Sequence, residues 1–143
     1  MVPTIEQVLK KYPRQVKVVF KHYPLRRHTW AFPAAQAAIA AGNHGKFWEF
    51  HDLLFKSYKN LSDSKIEEIA VSLGLDSSAL KEEMKSPKIA DRINADLQNG
   101  KQAGVRGTPT VFIDGVLLRD KSIRGFERGI KAALRQHQNR ANQ

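Results

Sequence analysis

The 143-residue chain contains no cysteine. That excludes a disulfide, a thiolate nucleophile and a thiolate metal site within it. It also leaves the redox compartment unread, since there is no thiol whose state could report it. No apolar run approaches the ~20 residues needed to cross a bilayer, so no membrane span is expected. Met1-Val2-Pro3-Thr4 does not open a signal peptide, because no apolar segment follows a charged start. The chain is also short of acid: 14 Asp and Glu stand against 24 Lys and Arg, a formal net charge of +10. The excess favours polyanions and anionic surfaces. No RNP, KH, zinc-finger or helix-turn-helix signature accompanies it, so nucleic acid is not the expected partner. There is no glycine-rich phosphate loop, and no Ser/His/Asp or paired-carboxylate pattern at helical or hairpin spacing. No catalytic residue and no cofactor are assigned. Glu49, His51 and Asp52 do not all share one helix face, so no metal site is assigned either.

What is present is a globular composition, 41% hydrophobic and 27% charged, in a chain long enough for one domain with a core. Its most constrained stretch runs from Gly104 to Gly115. Gly104 and Gly107 permit positive φ or a close chain approach. Pro109 suits the first residue of a strand, and Thr108-Pro109 is a bond at which cis is accessible. Thr110–Ile113 reads as a strand and Asp114-Gly115 as a hairpin turn, with Val116–Leu118 the return arm.

Upstream, Pro3–Tyr12 reads as a helix with Ile5, Val8, Leu9 and Tyr12 on one stripe and Pro13 after its end. It has almost no lead-in, as if the chain began inside an element. Val16–Tyr23 is a strand by propensity, with Val16, Val18 and Phe20 on one face. Arg26, Arg27 and His28 fall in a loop and read as solvated. Trp30–Ala41 is an alanine-dense helix. Lys46–Tyr58 is amphipathic, with Phe47, Phe50, His51, Leu54, Phe55 and Tyr58 expected in the core and His51 as a hydrogen-bonded packing residue. A helix cap lies at Ser62–Ser64, with Ser64–Glu67 as a capping box, and Gly74 ends that helix. Asp76 caps a short helix through Met84. Ser86-Pro87 starts another, carrying Ile89, Ile93 and Leu97 and fraying at Asn99-Gly100. Ser122 caps a last helix with Phe126, Ile130, Ala133 and Leu134 inward and Arg124, Arg128, Lys131 and Arg135 as a basic stripe. Residues 136–143 are expected to fray.

The order is α, β, five helices, β, β, α. Together with Phe20-Lys21-His22-Tyr23-Pro24-Leu25, Gly45-Lys46-Phe47-Trp48-Glu49-Phe50-His51-Asp52-Leu53-Leu54-Phe55 and Gly104-Val105-Arg106-Gly107-Thr108-Pro109-Thr110, it resembles a DsbA-type thiol–disulfide oxidoreductase domain of the thioredoxin superfamily. The match runs from about Pro3 to Arg135. The resemblance implies an α/β fold: a single thioredoxin-like domain over 1–143, with a helical insertion at about 30–102. It implies that Pro109 is cis, and that Thr108, Pro109, Arg106 and Gly107 border a groove where the Thr108 backbone pairs with an extended polypeptide substrate. It implies a periplasmic or extracytoplasmic location for the full-length protein.

The departure from the family is as informative as the match. The family's first strand and its Cys-x-x-Cys helix start have no counterpart here, so the chain reads as N-terminally truncated. Without a thiolate it cannot perform thiol–disulfide exchange as given. A missing central strand leaves a slot beside Val16–Tyr23. Either the two flanking strands close on each other, or a partner fills it in a homodimer formed by element swapping. The expected function is thiol–disulfide oxidoreduction in the lineage. The alternative is a non-catalytic peptide-binding module. A third reading is polyanion binding along the basic helix stripe.

Overall fold

The computed structural model describes all residues, Met1–Gln143, and divides into two compact units. The first comprises Met1–Phe20 and Gly107–Gln143; the second is Lys21–Arg106.

The first unit holds two helices and a hairpin. α1 spans Val2–Lys11 with Pro3 in its first turn, where a missing N–H costs nothing. β1 (Phe112–Ile113) pairs antiparallel with β2 (Val116–Leu117), Phe112 opposite Leu117 and Ile113 opposite Val116. Asp114 (φ 50) and Gly115 (φ 81) both lie in the left-handed region that a two-residue hairpin loop demands. α7 spans Ile123–Ala141, and the Ser122 side chain accepts from the Gly125 N–H at its start. Val8, Phe126 and Ile130 form the buried centre, with Ile5, Tyr12, Val16, Val111, Ile113, Leu118 and Leu134 around it.

The second unit is helical: α2 (Ala31–Gly42), α3 (Phe47–Lys56), α4 (Asp63–Ser72), α5 (Ser77–Met84) and α6 (Pro87–Gln102). α2 is its hub and packs against α3, α4, α5 and α6. Ala37, Ala40 and Ala41 are fully buried, because only a methyl side chain lets that many neighbours approach one helix. Phe50, Ile66, Ile69, Leu80, Ile89 and Ile93 fill the space around it.

Several expectations are corrected. Val16–Leu25 has no regular secondary structure, although its burial alternates from Val16 to His22 as a strand's would. Propensity prepares a strand, but a ladder needs a partner, and the sheet contains β1 and β2 only. The segment and the hairpin therefore do not close on each other. Phe55 and Tyr58 are 54% and 66% exposed rather than core, because the buried stripe of α3 narrows to Phe50, His51 and Leu54. The cap of α4 is Ser62, accepting from Lys65 N–H, so the Ser64 capping box is unused. Ser86 precedes α6 without a side-chain cap bond. α6 runs past Asn99-Gly100 to Gln102, and residues 136–141 are helical. Gly107 uses neither freedom expected of it: its φ is not positive, and no atom lies within 4 Å of where a Cβ would sit.

Candidate functional site

The stretch of chain between the end of α6 and the hairpin carries a positive-φ glycine and a cis peptide bond. Gly104 takes a positive φ of 77, which lets the chain turn off the helix. Its N–H donates to the Lys101 carbonyl at 3.0 Å, and the Val105 N–H donates to the Gly100 carbonyl at 2.9 Å. These bonds use carbonyls that a helix end otherwise leaves unpaired. Arg106 is exposed and closes the helical unit.

In the first unit, Thr108 and Pro109 are exposed, and the peptide bond joining them is cis. The Thr110 hydroxyl donates to the Gly107 carbonyl at 2.7 Å and ties the loop across its width. The N–H groups of Thr108 and Thr110 enter none of the backbone hydrogen bonds of the fold. Further along, the Leu118 N–H donates to the Val111 carbonyl at 2.8 Å, so Val111 and Leu118 are a hydrogen-bonded pair. Antiparallel pairs alternate, so Phe112 opposite Leu117 is a non-hydrogen-bonded pair, and the Phe112 N–H and C=O point away from β2. Thr110 and Phe112 thus present an open strand edge. Such an edge can accept one more strand by main-chain bonding, with little demand on its sequence. Of the sequence-expected site residues, Gly107, Thr108 and Pro109 lie at the head of this edge, and Arg106 precedes it in the chain.

The second unit contains a polar anchor that the sequence reading missed. Asp96, 7% exposed, accepts the His22 backbone N–H at 2.9 Å and the Lys21 ammonium at 3.2 Å. Its signal was present: an acid one residue before Leu97 interrupts the Ile89, Ile93, Leu97 stripe of α6. Tyr23 next to this anchor donates its hydroxyl to the Val105 carbonyl at 3.0 Å. His22 is itself buried, and burial pushes its imidazole down to about 4 against the pull of Asp96. Its ring meets Phe47 edge-on at 5.8 Å, and Phe47 in turn meets Trp48 at 5.0 Å. His51 is buried, with Nδ1 at 3.0 Å from the Asp52 carboxylate, as a packing histidine should be. None of these groups is a nucleophile poised beside a base. The arrangement positions backbone; with no cysteine, the chain offers no thiolate.

Residues 1–131 match the model of the DSBA-like thioredoxin domain. In structure the chain is similar to a thioredoxin-like oxidoreductase from Silicibacter pomeroyi, with a TM-score of 0.82 and 22% identity over 94% of this chain and 77% of that one. The fold is accordingly thioredoxin-like, mostly helical, with a small two-stranded sheet. Among curated proteins, Na(+)/H(+) antiporter NhaA 3 of Salinispora tropica is 36% identical over 114 residues, 79% of this chain and 17% of that protein. Na(+)/H(+) antiporter NhaA of Herminiimonas arsenicoxydans is 33% identical over 104 residues, 73% of this chain and 16% of that protein. The chain therefore spans under a fifth of the length of these relatives. No helix of the chain is long and apolar enough to cross a membrane.

Proposed function

The chain belongs to the DSBA-like thioredoxin family, and from that premise we propose that it is the polypeptide-holding part of a thiol–disulfide oxidoreductase, binding an extended segment along the Thr108–Phe112 edge. The observation that carries this reading is the open edge: unpaired Thr108 and Thr110 N–H groups and an outward-facing Phe112 backbone, all next to exposed Pro109. Gly107 precedes Thr108 at the start of this edge, and Arg106 precedes Gly107 in the chain. The 143 residues hold no cysteine, so they supply binding and not the attacking thiolate. Family membership also supports an extracytoplasmic place of work.

The test uses a short fluorescent peptide of alternating Val and Glu, N-methylated at one set of alternate residues or at the other. Only one set can face the edge. Each main-chain bond lost should cost about 1 kcal/mol, or about five-fold in affinity. Equal anisotropy titrations for both peptides would remove the edge from consideration. In an insulin-reduction assay the chain is expected to add nothing to the rate given by dithiothreitol alone.

The antiporter-named relatives, which this chain matches over under a fifth of their length, favour a second, compatible reading: this domain works beside a membrane. Fractionation of the protein from its native cells checks it, and recovery wholly in the non-membrane fraction would count against it.

A further inference from the structure

The net charge of the chain is unevenly placed. The first unit holds eleven Lys and Arg against four Asp and Glu, a formal +7 of the total +10, although it is the smaller unit. Much of this lies on α7. Arg124, Arg128, Lys131 and Arg135 are all exposed, while Phe126 and Ile130 on the other side of the helix are buried. At 3.6 residues per turn the four cations fall within about 60° of arc, and at 1.5 Å per residue they extend over about 16 Å.

Within the chain the nearby acids pair with only one cation of the stripe, Arg128. Glu127 is engaged by Lys11 of α1 at 2.6 Å. Asp120 is engaged by Arg128, and Asp114 by His137. Arg124, Lys131 and Arg135 take part in no ion pair within the chain. An amphipathic surface helix needs a polar outer face, but not one of a single sign with its neighbouring acids already committed.

We propose that this outer face of α7 docks on an anionic phospholipid membrane through Arg124, Lys131 and Arg135. A straight, convex row of cations meets a plane of phosphates along its whole length. The one Phe, Tyr or Trp of α7, Phe126, is buried, and the exposed His137 lies off the stripe, so the stripe itself carries no aromatic ring on which single-stranded bases could stack. The preference for lipid over nucleic acid rests on the membrane-side reading above.

The experiment is co-sedimentation of the purified chain with phosphatidylcholine vesicles, with and without phosphatidylglycerol, at low and high salt. Binding is expected only to the anionic vesicles, and weakening with salt as surface charge is screened. Each Lys or Arg near such a surface contributes about a five-fold gain in affinity, so R124Q/K131Q/R135Q should bind about a hundred-fold more weakly. K56Q/K59Q/K101Q removes the same charge from the second unit and should bind as the parent does. No binding to anionic vesicles, or equal loss in both triple variants, overturns the proposal. Binding to a DNA duplex at the same salt with no vesicle binding assigns the stripe to nucleic acid and equally overturns it. A chain that ignores vesicles while the native protein still fractionates with membranes removes the stripe and leaves the membrane-side reading intact. Vesicle binding by a protein recovered only outside membranes does the reverse.

Discussion

Asp96 on α6 holds the backbone of His22, accepting its N–H at 2.9 Å from a position that is almost fully buried. The bond fixes where the segment after Phe20 enters the helical unit. Asp96→Ala removes the acceptor and leaves a buried N–H unpaired, which should cost about 1–3 kcal/mol. Asp96→Asn keeps a carbonyl oxygen for that N–H and loses the ion pair to Lys21. Lys21 is mostly exposed, so that second loss should be about 1 kcal/mol or less. Both tryptophans, Trp30 and Trp48, lie in this unit, so urea unfolding followed by tryptophan fluorescence reports on it directly. Equal stabilities for the Ala and Asn variants would mean that the His22 bond contributes nothing.

His22 links this anchor to pH. Burial lowers its imidazole from 6.5 to about 4, so the folded chain holds it neutral while the unfolded chain protonates it at higher pH. Between those values the unfolded state binds more protons, and stability falls as pH falls. The full effect, reached near pH 4, is on the order of 3 kcal/mol. Glu83, Glu127 and Asp120 are also held below their ordinary values, by His44, Lys11 and Ser122 respectively, but they act only below about pH 4.5. His22→Gln should therefore flatten the slope between pH 6.5 and 4.5. A parent chain whose urea midpoint is constant across that window contradicts this account.

The same region shows what a sequence can and cannot display. The helices of the second unit were legible because each needs only its own periodicity and ends: Ile89 and Ile93 on a stripe, Gly74 after α4 at φ 74. The hairpin was legible because Asp114-Gly115 specifies its turn locally. Val16–Tyr23 was not, since whether β-prone residues join a sheet depends on a neighbour elsewhere in the chain. Asp96 was hidden for the same reason: its partner is a backbone N–H 74 residues away. Of the candidate site, Thr108 and Pro109 could be named in advance, but the outward direction of the Phe112 backbone required the register.

Three glycines should respond differently to alanine. At Gly125 a Cβ would lie 2.0 Å from the Asp120 carbonyl oxygen, a backbone atom that cannot swing aside, so the start of α7 must shift. Overpacking of this kind costs about 1–3 kcal/mol, at the upper end here. At Gly100 a Cβ would lie 2.7 Å from the Tyr23 ring, which is tethered through its hydroxyl to Val105. The clash is offset by about 1 kcal/mol of gained helix propensity, so Gly100→Ala should destabilise less. Gly107 has open space and an ordinary φ, and Gly107→Ala should be neutral or stabilise by about 0.4–1 kcal/mol. Thermal unfolding by far-ultraviolet circular dichroism should rank the variants 125 below 100 below 107, and any other order rejects the steric reading.

The helix starts give a sharper contrast, because two serines in the same sequence role differ in geometry. Ser122 accepts the Gly125 N–H at 3.2 Å, while Ser86 makes no such bond and is followed by Pro87, which has no N–H at the first position of α6. Removing a cap that is made costs about 1 kcal/mol; removing one that is not made should cost only a few tenths. Ser122→Ala is therefore expected to lower stability and loosen the first turn of α7, whereas Ser86→Ala should leave α6 as it is. Amide hydrogen exchange resolves the two locally: protection should fall at Gly125 and Phe126 in the first variant and remain unchanged at Ile89 and Ala90 in the second. Equal loss at both sites would show that the serine hydroxyls act through solvation or chain flexibility rather than through the cap bond.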